Sequence, residues 1–237
     1  MAPYVDIHCH ILPGVDDGVA DLREAVALAT YADGAGTRTI VATPHIRDDV
    51  LLDISSISRR VAEVNVELEA NGLVVRVVPG GEAAPERIGT LSEDELRAIS
   101  LGGNGVHILL ESPYRKKADL FASVARALLA RGYVPVVAHP ERSPDLEVAV
   151  LRQLAGAGAH IQLTAASLLG SFGRGVRRKA HELLDAGLVG VVASDAHGID
   201  RRLAAFAALP ERFEAHGEEI IACMTSKPAA LLAATAD

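Results

Sequence analysis

The chain has 237 residues, 49% hydrophobic and 23% charged, and carries a net charge of −8. That length suits one large α/β domain or two small ones, and the apolar share can bury a sizeable core. The negative balance weighs against a nucleic-acid surface, where Lys and Arg must neutralise phosphates, and two cysteines, Cys9 and Cys223, are too few for a disulfide framework.

In chain order, short β-rich runs alternate with helical patterns. Strands are predicted at residues 4–10, 37–43, 73–79, 106–111, 134–139, 160–164 and 188–194. Helices are predicted at 21–34, 54–71, 93–99, 118–131, 146–157 and 174–186, with two more at 211–224 and 228–234. Ser92, with Glu95 three residues on, reads as a capping box. Gly34, Gly72, Gly132, Gly158 and Gly187 follow helices, as C-terminal glycines should. Residues 39–42 and 134–137 are largely apolar, as in parallel strands buried on both faces. Strand–helix alternation without a composition break implies one closed, barrel-like α/β domain over residues 1–237. Residues 1–10 lack the pattern of a signal peptide, and no apolar run approaches about 20 residues. A cytoplasmic protein without membrane insertion is therefore expected.

The predicted strand ends carry the chemistry. The first ends Asp6-Ile7-His8-Cys9-His10. Side chains two apart share a face, so His8 and His10 can grip one ion, while Cys9 points away as a small buried hydrophobe. The second strand leads to His45, the third to Glu82, the fourth to Glu111, the fifth to His139, and the seventh to Asp195 and His197. In a parallel β/α barrel these ends meet at one face, where active sites sit. Singly, each residue has a bland reading: a core or surface histidine, a helix-start carboxylate at Glu82 or Glu111, an N-cap at Asp195. Together, five of nine histidines and several carboxylates on one face would be costly without cations. Imidazole and carboxylate without thiolate suit divalent zinc, manganese or iron.

Arg47, Arg142 and Arg202 lie close to these residues in sequence, and forked guanidinium donors fit phosphate oxygens. For Arg47 a solvated surface charge is an equal alternative. Tyr114, after the fourth strand, either lines a substrate groove or packs. Other phosphatase chemistries lack their residues. A cysteine nucleophile needs an Arg six places on, where Val15 and Ala229 stand. There is no Asp-x-Asp pair for a phospho-aspartyl route and no Gly-x-x-x-x-Gly-Lys loop. Water is the expected nucleophile.

These residues resemble the polymerase-and-histidinol-phosphatase (PHP) superfamily. The matching blocks are DIHCHILPGVDDG at 6–18, TIVATPH at 39–45, Gly81-Glu82, the run from Leu110 to Arg115, VAHPER at 137–142, IQLTAASL at 161–168 and ASDAH at 193–197, with Asp200 and Arg202. Within it the chain is similar to the manganese-dependent protein-tyrosine phosphatases found with bacterial capsule and exopolysaccharide genes. The resemblance implies a distorted, TIM-like (β/α)7 barrel holding three metal ions, with manganese favoured and zinc or iron as alternatives. The first ion would take His8, His10, Glu82 and Asp195. The second would share Glu82 and add Glu111 and His139. The third would take His45 and His197 with Asp16, unless Asp16 or Asp17 serves to order the loop. Arg142 and Arg202 match phosphate-binding arginines, and Asp195, Asp16 or a bound water is left to protonate the leaving group. Ile46 departs from the pattern, since many relatives carry a further His there, and Ser226-Lys227-Pro228 replaces an Asn-Pro helix start. The implied substrate is a phosphotyrosine protein, the tail of a polysaccharide-export tyrosine kinase. A small-metabolite phosphatase (histidinol phosphate or a sugar phosphate) is the rival, and a non-catalytic metal-binding regulator the third reading. The oligomeric state is left open.

Overall fold

A computed structural model of the chain describes residues 2–114, 118–213 and 216–235; Arg115, in one of the matched blocks, lies outside them. Among the described residues the chain forms nine parallel strands, not seven. β1 (Tyr4–Cys9), β6 (His107–Glu111), β7 (Val134–Ala138), β8 (His160–Thr164) and β9 (Val189–Ala193) follow the expected runs closely. Each of the other two expected strands ends near a proline, and a further two-residue strand follows it. Pro44 separates β2 (Thr37–Ala42) from β3 (His45–Ile46), and Pro79 separates β4 (Arg76–Val78) from β5 (Glu82–Ala83). Proline has no N–H for the ladder, so pairing stops and the chain bends. At the second bend a Cβ on Gly80 would lie 2.6 Å from Val41 Cγ1, a close approach that suits only glycine.

The cuts leave two all-parallel sheets, ordered β1-β2-β4 and β3-β5-β6-β7-β8-β9. The sheets touch at their C-terminal ends. Asp195 N–H donates to His8 O and His10 N–H to Ala196 O, each at 2.8 Å. Thr43 N–H donates to Cys9 O at 2.9 Å. The ends of β1, β2 and β9 are thus tied together.

Alternation along the strands sorts side chains into two faces. Val5, Ile7, Val41, Leu109, Val136, Ala138, Val191 and Ala193 form an inner cluster drawn from both sheets. Ile40, Ile108, Leu110, Val137, Ile161 and Val192 belong to the larger cluster that includes the helices. Both faces are dry, which is why the strands read as continuous apolar runs.

α1 (Leu22–Gly34), α2 (Ile57–Ala70), α4 (Glu93–Ala98), α5 (Ala118–Ala130), α6 (Val148–Gly156) and α8 (Arg174–Asp185) match expected helices, although the first turn at Ile54–Ser56 is 3₁₀. The capping box at Ser92 and Glu95 forms in both directions. Gly34 ends α1 itself, and the left-handed residue after it is Gly36, at φ +95°. Short α3 (Pro85–Ile88) and α7 (Ala165–Leu168) were not expected. The single helix expected at 211–224 is corrected. α9 (Arg201–Arg212) starts ten residues earlier, capped by Asp200, whose carboxylate accepts from the N–H groups of Arg202 and Leu203. Pro210 sits inside its last turn. α10 (Gly217–Met224) and α11 (Ser226–Ala233) follow. No described helix is long and apolar enough to cross a membrane.

Candidate functional site

The strand ends deliver side chains from far apart in sequence to one place. His8 and His10 are fully buried, with their Nε2 atoms 3.4 Å apart. His8 Nε2 lies 3.4 Å from Glu82 Oε2 and 3.3 Å from Asp195 Oδ1. His10 Nε2 lies 3.6 and 3.5 Å from the same two oxygens. His139 Nε2 reaches Glu82 Oε1 at 2.8 Å. His45 Nδ1 stands 3.0 Å from Glu82 Oε2 and 4.0 Å from Glu111 Oε2. His197 closes the ring, its imidazole centred 3.9 Å from that of His10. Glu82, on the two-residue strand β5, is the hub.

Among the described residues the donor atoms fall into four overlapping groups: His8, His10 and Glu82; His8, His139 and Asp195; His45, Glu82 and Glu111; and His10, Asp17, His45 and His197. Asp16 belongs to none. Its carboxylate meets His10 Nδ1 at 2.7 Å and accepts from His45 N–H and Gly18 N–H, each at 3.0 Å. Asp17 points its carboxylate at His45 and His197, at 3.3 and 3.4 Å. These two adjacent loop residues face different groups, and spacing alone could not say which faces the cluster.

The residues fit cations. His45 Nδ1 and Glu82 Oε2 are buried and close, yet among the described residues neither has a hydrogen-bond partner of good geometry. Two lone-pair donors facing one another is the arrangement a shared ion satisfies. Burial, then the neighbouring Glu82 charge, pushes the Glu111 carboxyl up to about 7. Burial, then Arg142, pulls the His139 imidazole down to about 4, in the neutral form a metal ligand needs. Against burial, the bonds to Asp16 and Asp195 raise His10 to about 10, and the bond to His10 lowers Asp16 to about 2. An orienting carboxylate behind a histidine is a common outer partner of metal sites.

Two of the converging residues, His139 (φ +37°) and Asp195 (φ +54°), are the non-glycine residues with left-handed backbone among those described. Such conformations cost on the order of 1–3 kcal/mol each and persist where surroundings over-determine them. Asp195 N–H is held by His8 O, and His139 O accepts from Arg142 N–H at 3.0 Å.

The arginines meet the cluster through Asp195. Arg142 pairs with its carboxylate and donates to Thr164 Oγ1 at 2.9 Å, while its guanidinium packs 4.9 Å from the centre of the Phe172 ring. Arg202 Nη1 reaches Asp195 Oδ2 at 3.3 Å, with its Nε on Asp200. Arg47 spans Asp49 and Glu111 and lines the same cavity as the other two, so it is no detached surface charge. Against burial, His8 and Arg142 hold the Asp195 carboxyl well below the usual range. That cavity measures about 140 Å³ and is walled by Arg47, Arg142, Arg202, Tyr114 and the cluster. A groove of about 490 Å³ shares Arg47, Glu111 and Tyr114 with it. Tyr114 is 57% exposed, with its ring 6.4 Å from that of His139.

Some supporting residues were missed in the sequence. Gln162 places its Oε1 3.0 Å from His8 Nδ1, so His8 Nε2 faces the cluster. Asp6 Oδ1 accepts from the N–H groups of His8 and Ser194, fastening β1 beside β9. Gln162 shares a strand face with Thr164, but an uncharged amide among apolar residues carries no signal of its own. Gly18 is a further constraint: a Cβ there would lie 2.2 Å from His10 O and 2.6 Å from His10 Cβ. Gly18→Ala is therefore expected to cost about 1–3 kcal/mol of stability by forcing the loop off β1. Thermal unfolding with and without manganese checks this. An unchanged midpoint and an unchanged manganese-induced rise would refute it.

The chain matches the family described as "Capsular polysaccharide synthesis, CpsB/CapC" over residues 4–226. It is 36% identical to the tyrosine-protein phosphatase YwqE of Bacillus subtilis over 203 residues, 84% of this chain and 79% of that protein. It is 29% identical to the tyrosine-protein phosphatase CpsB of Streptococcus pneumoniae over 209 residues, 84% of each. A solved structure from work on YwqE and S. pneumoniae CpsB, described as unique metal-dependent tyrosine phosphatases, superposes with a TM-score of 0.82 at 30% identity, covering 98% of this chain and 95% of that one. The phosphotriesterase homology protein of Escherichia coli shares the fold at 14% identity and a TM-score of 0.62, covering 98% of this chain and 99% of that one. By a match that spans nearly the whole chain, the protein belongs to the CpsB/CapC family of capsular polysaccharide synthesis.

Proposed function

We propose that this protein is a metal-dependent phosphatase that hydrolyses phosphotyrosine on proteins, its substrate being the autophosphorylated tail of a tyrosine kinase that governs polysaccharide synthesis or export. One observation carries the chemistry: Arg142 and Arg202 share Asp195 with the buried histidine–carboxylate cluster. The phosphatase names of the relatives support the substrate class. Three ions per chain are proposed, manganese first, with zinc or iron as alternatives. His8, His10, Glu82 and Asp195 would hold one; Glu82, Glu111 and His139 the second; His45, His197 and Asp17 the third. Asp17 replaces Asp16 in this assignment, because the Asp16 carboxylate is taken up by protein groups. The two sheets are read as one distorted, TIM-like (β/α)7 barrel, a single cytoplasmic domain over residues 1–237.

Bound divalent ions lower the pKa of coordinated water and neutralise phosphoryl charge. The chain's own residues orient and stabilise the substrate. Arg142 and Arg202, fixed by Thr164, Asp195 and Asp200, present N–H donors to equatorial phosphate oxygens, where charge spreads in the transition state. Asp195 stays ionised between them, which suits an orienting role over proton donation. Tyr114 borders both cavity and groove, where a substrate ring passes from one to the other. A groove alongside the small cavity favours a peptide over a fully enclosed metabolite.

The test strips the protein of metal with a chelator and restores manganese. Stripped protein should be inactive. With manganese, a phosphotyrosine peptide should show higher kcat/KM than histidinol phosphate or a sugar phosphate. Equal or better turnover of either metabolite would overturn the protein-phosphatase reading.

A further inference from the structure

The inner column of side chains has a second polar end. Residues two apart on a strand share a face, so the face that carries Glu111 on β6 also carries His107, and the face of Thr164 on β8 also carries His160. Four residues of strand separate each pair, about 13 Å. His107 and His160 therefore sit at the N-terminal ends of the strands, away from the phosphate cavity, with their rings 5.6 Å apart. Conserving or placing polar groups at that end of a parallel barrel is normally a matter of stability, not chemistry. Here the polar groups border a hole. A cavity of about 460 Å³ is walled by His107, His160, Gly190, Val191, Lys227, Ala230 and Leu231. Positions 227, 230 and 231 fall on one face of α11, which caps this end.

The lining has a definite chemistry. It holds one ammonium and two imidazoles, with no carboxylate, in a chain of net charge −8. Among the described residues the exposed Lys227 has two weak partners for its Nζ, Val189 O at 3.4 Å and Cys223 Sγ at 3.3 Å. His160 makes no side-chain hydrogen bond among the described residues. The remaining wall, Val191, Ala230 and Leu231, is apolar. An ammonium at the mouth of an apolar pocket, held by weak protein acceptors, is free to pair with a ligand that brings its own anion.

We propose that this cavity binds a small carboxylate with an apolar body. The carboxylate pairs with Lys227 and accepts from His160, and the body lies against Val191 and Leu231. Opposite ends of the same inner column would then serve different ligands.

The test uses phenylacetate and its neutral analogue, phenethyl alcohol, followed by the ring-proton resonances of the histidines. Phenylacetate should give saturable shifts at His107 and His160. The alcohol, and phenylacetate with Lys227→Ala, should each bind at least about tenfold more weakly, the worth of one charge-assisted hydrogen bond. Gly190→Leu should abolish the shifts by filling the cavity, since a Cβ there already stands 3.5 Å from His160 Nδ1. Both variants should keep manganese-dependent phosphatase activity, which confirms folding. No saturable shift in the active wild-type protein, or equal binding of acid and alcohol, overturns the proposal. An active Lys227→Ala protein that binds phenylacetate as tightly as wild type overturns it too.

Discussion

Asp195→Asn is expected to lower kcat by about 10³-fold or more, the scale of losing a central transition-state electrostatic group. Asp195 is where two systems join. One carboxylate oxygen lies 3.3 Å from His8 and 3.5 Å from His10, and the other meets Arg142 and Arg202. The amide keeps the shape but loses the charge that a cation and both guanidiniums face. Asparagine is chosen because it tolerates the left-handed backbone found at φ +54° better than other non-glycine replacements. The loss should therefore appear in activity and manganese affinity without unfolding. Calorimetric titration of manganese beside single-turnover kinetics reads both. Turnover within a few-fold of wild type would remove Asp195 from the centre of the site.

Arg142→Lys should reduce kcat by about 10²-fold while changing KM much less, as for loss of one oxyanion donor. The Arg142 side chain is 9% exposed, and among the described residues its Nε has no hydrogen-bond partner. Its Nη2 is already divided between Thr164 and Asp195. A planar fork can hold these and still present a donor to phosphate, whereas an ammonium concentrates its charge at one point and loses the contact with Phe172. Arg142→Ala should be worse, since it leaves Asp195 with Arg202 as its one guanidinium. If lysine matched arginine in kcat, Arg142 would be a structural ion-pair partner and nothing more.

Much of this was legible in order along the chain. His8 and His10 could be placed together because their spacing matches the period of a strand, which holds wherever the strand lies. The capping box at Ser92 was legible for the same reason: it is closed within four residues. The strand count was not. Thr43-Pro44 and Pro79-Gly80-Gly81 were read as strand ends, and each is in fact a break with a further short strand beyond it. That outcome depends on where the next strand offers N–H and C=O groups, as β3 and β5 do for one another. α9 was missed because its cap, Asp200, and its internal Pro210 send opposing local signals, and packing decided between them.

The sequence by itself offered the candidate donors apart from the choice between Asp16 and Asp17, the strand periodicity that pairs neighbouring candidates, and the absence of a thiolate or phospho-aspartyl route. These are properties of residue type and short spacing, which survive whatever the chain does elsewhere. Only the tertiary structure decided which of Asp16 and Asp17 faces the cluster, that Glu82 lies at its hub, and that Asp195 links histidines to arginines. Those relations join residues up to 187 positions apart, as His8 and Asp195 show. Loop direction and long-range contact are fixed by packing and by satisfying buried polar groups, and no local pattern encodes them.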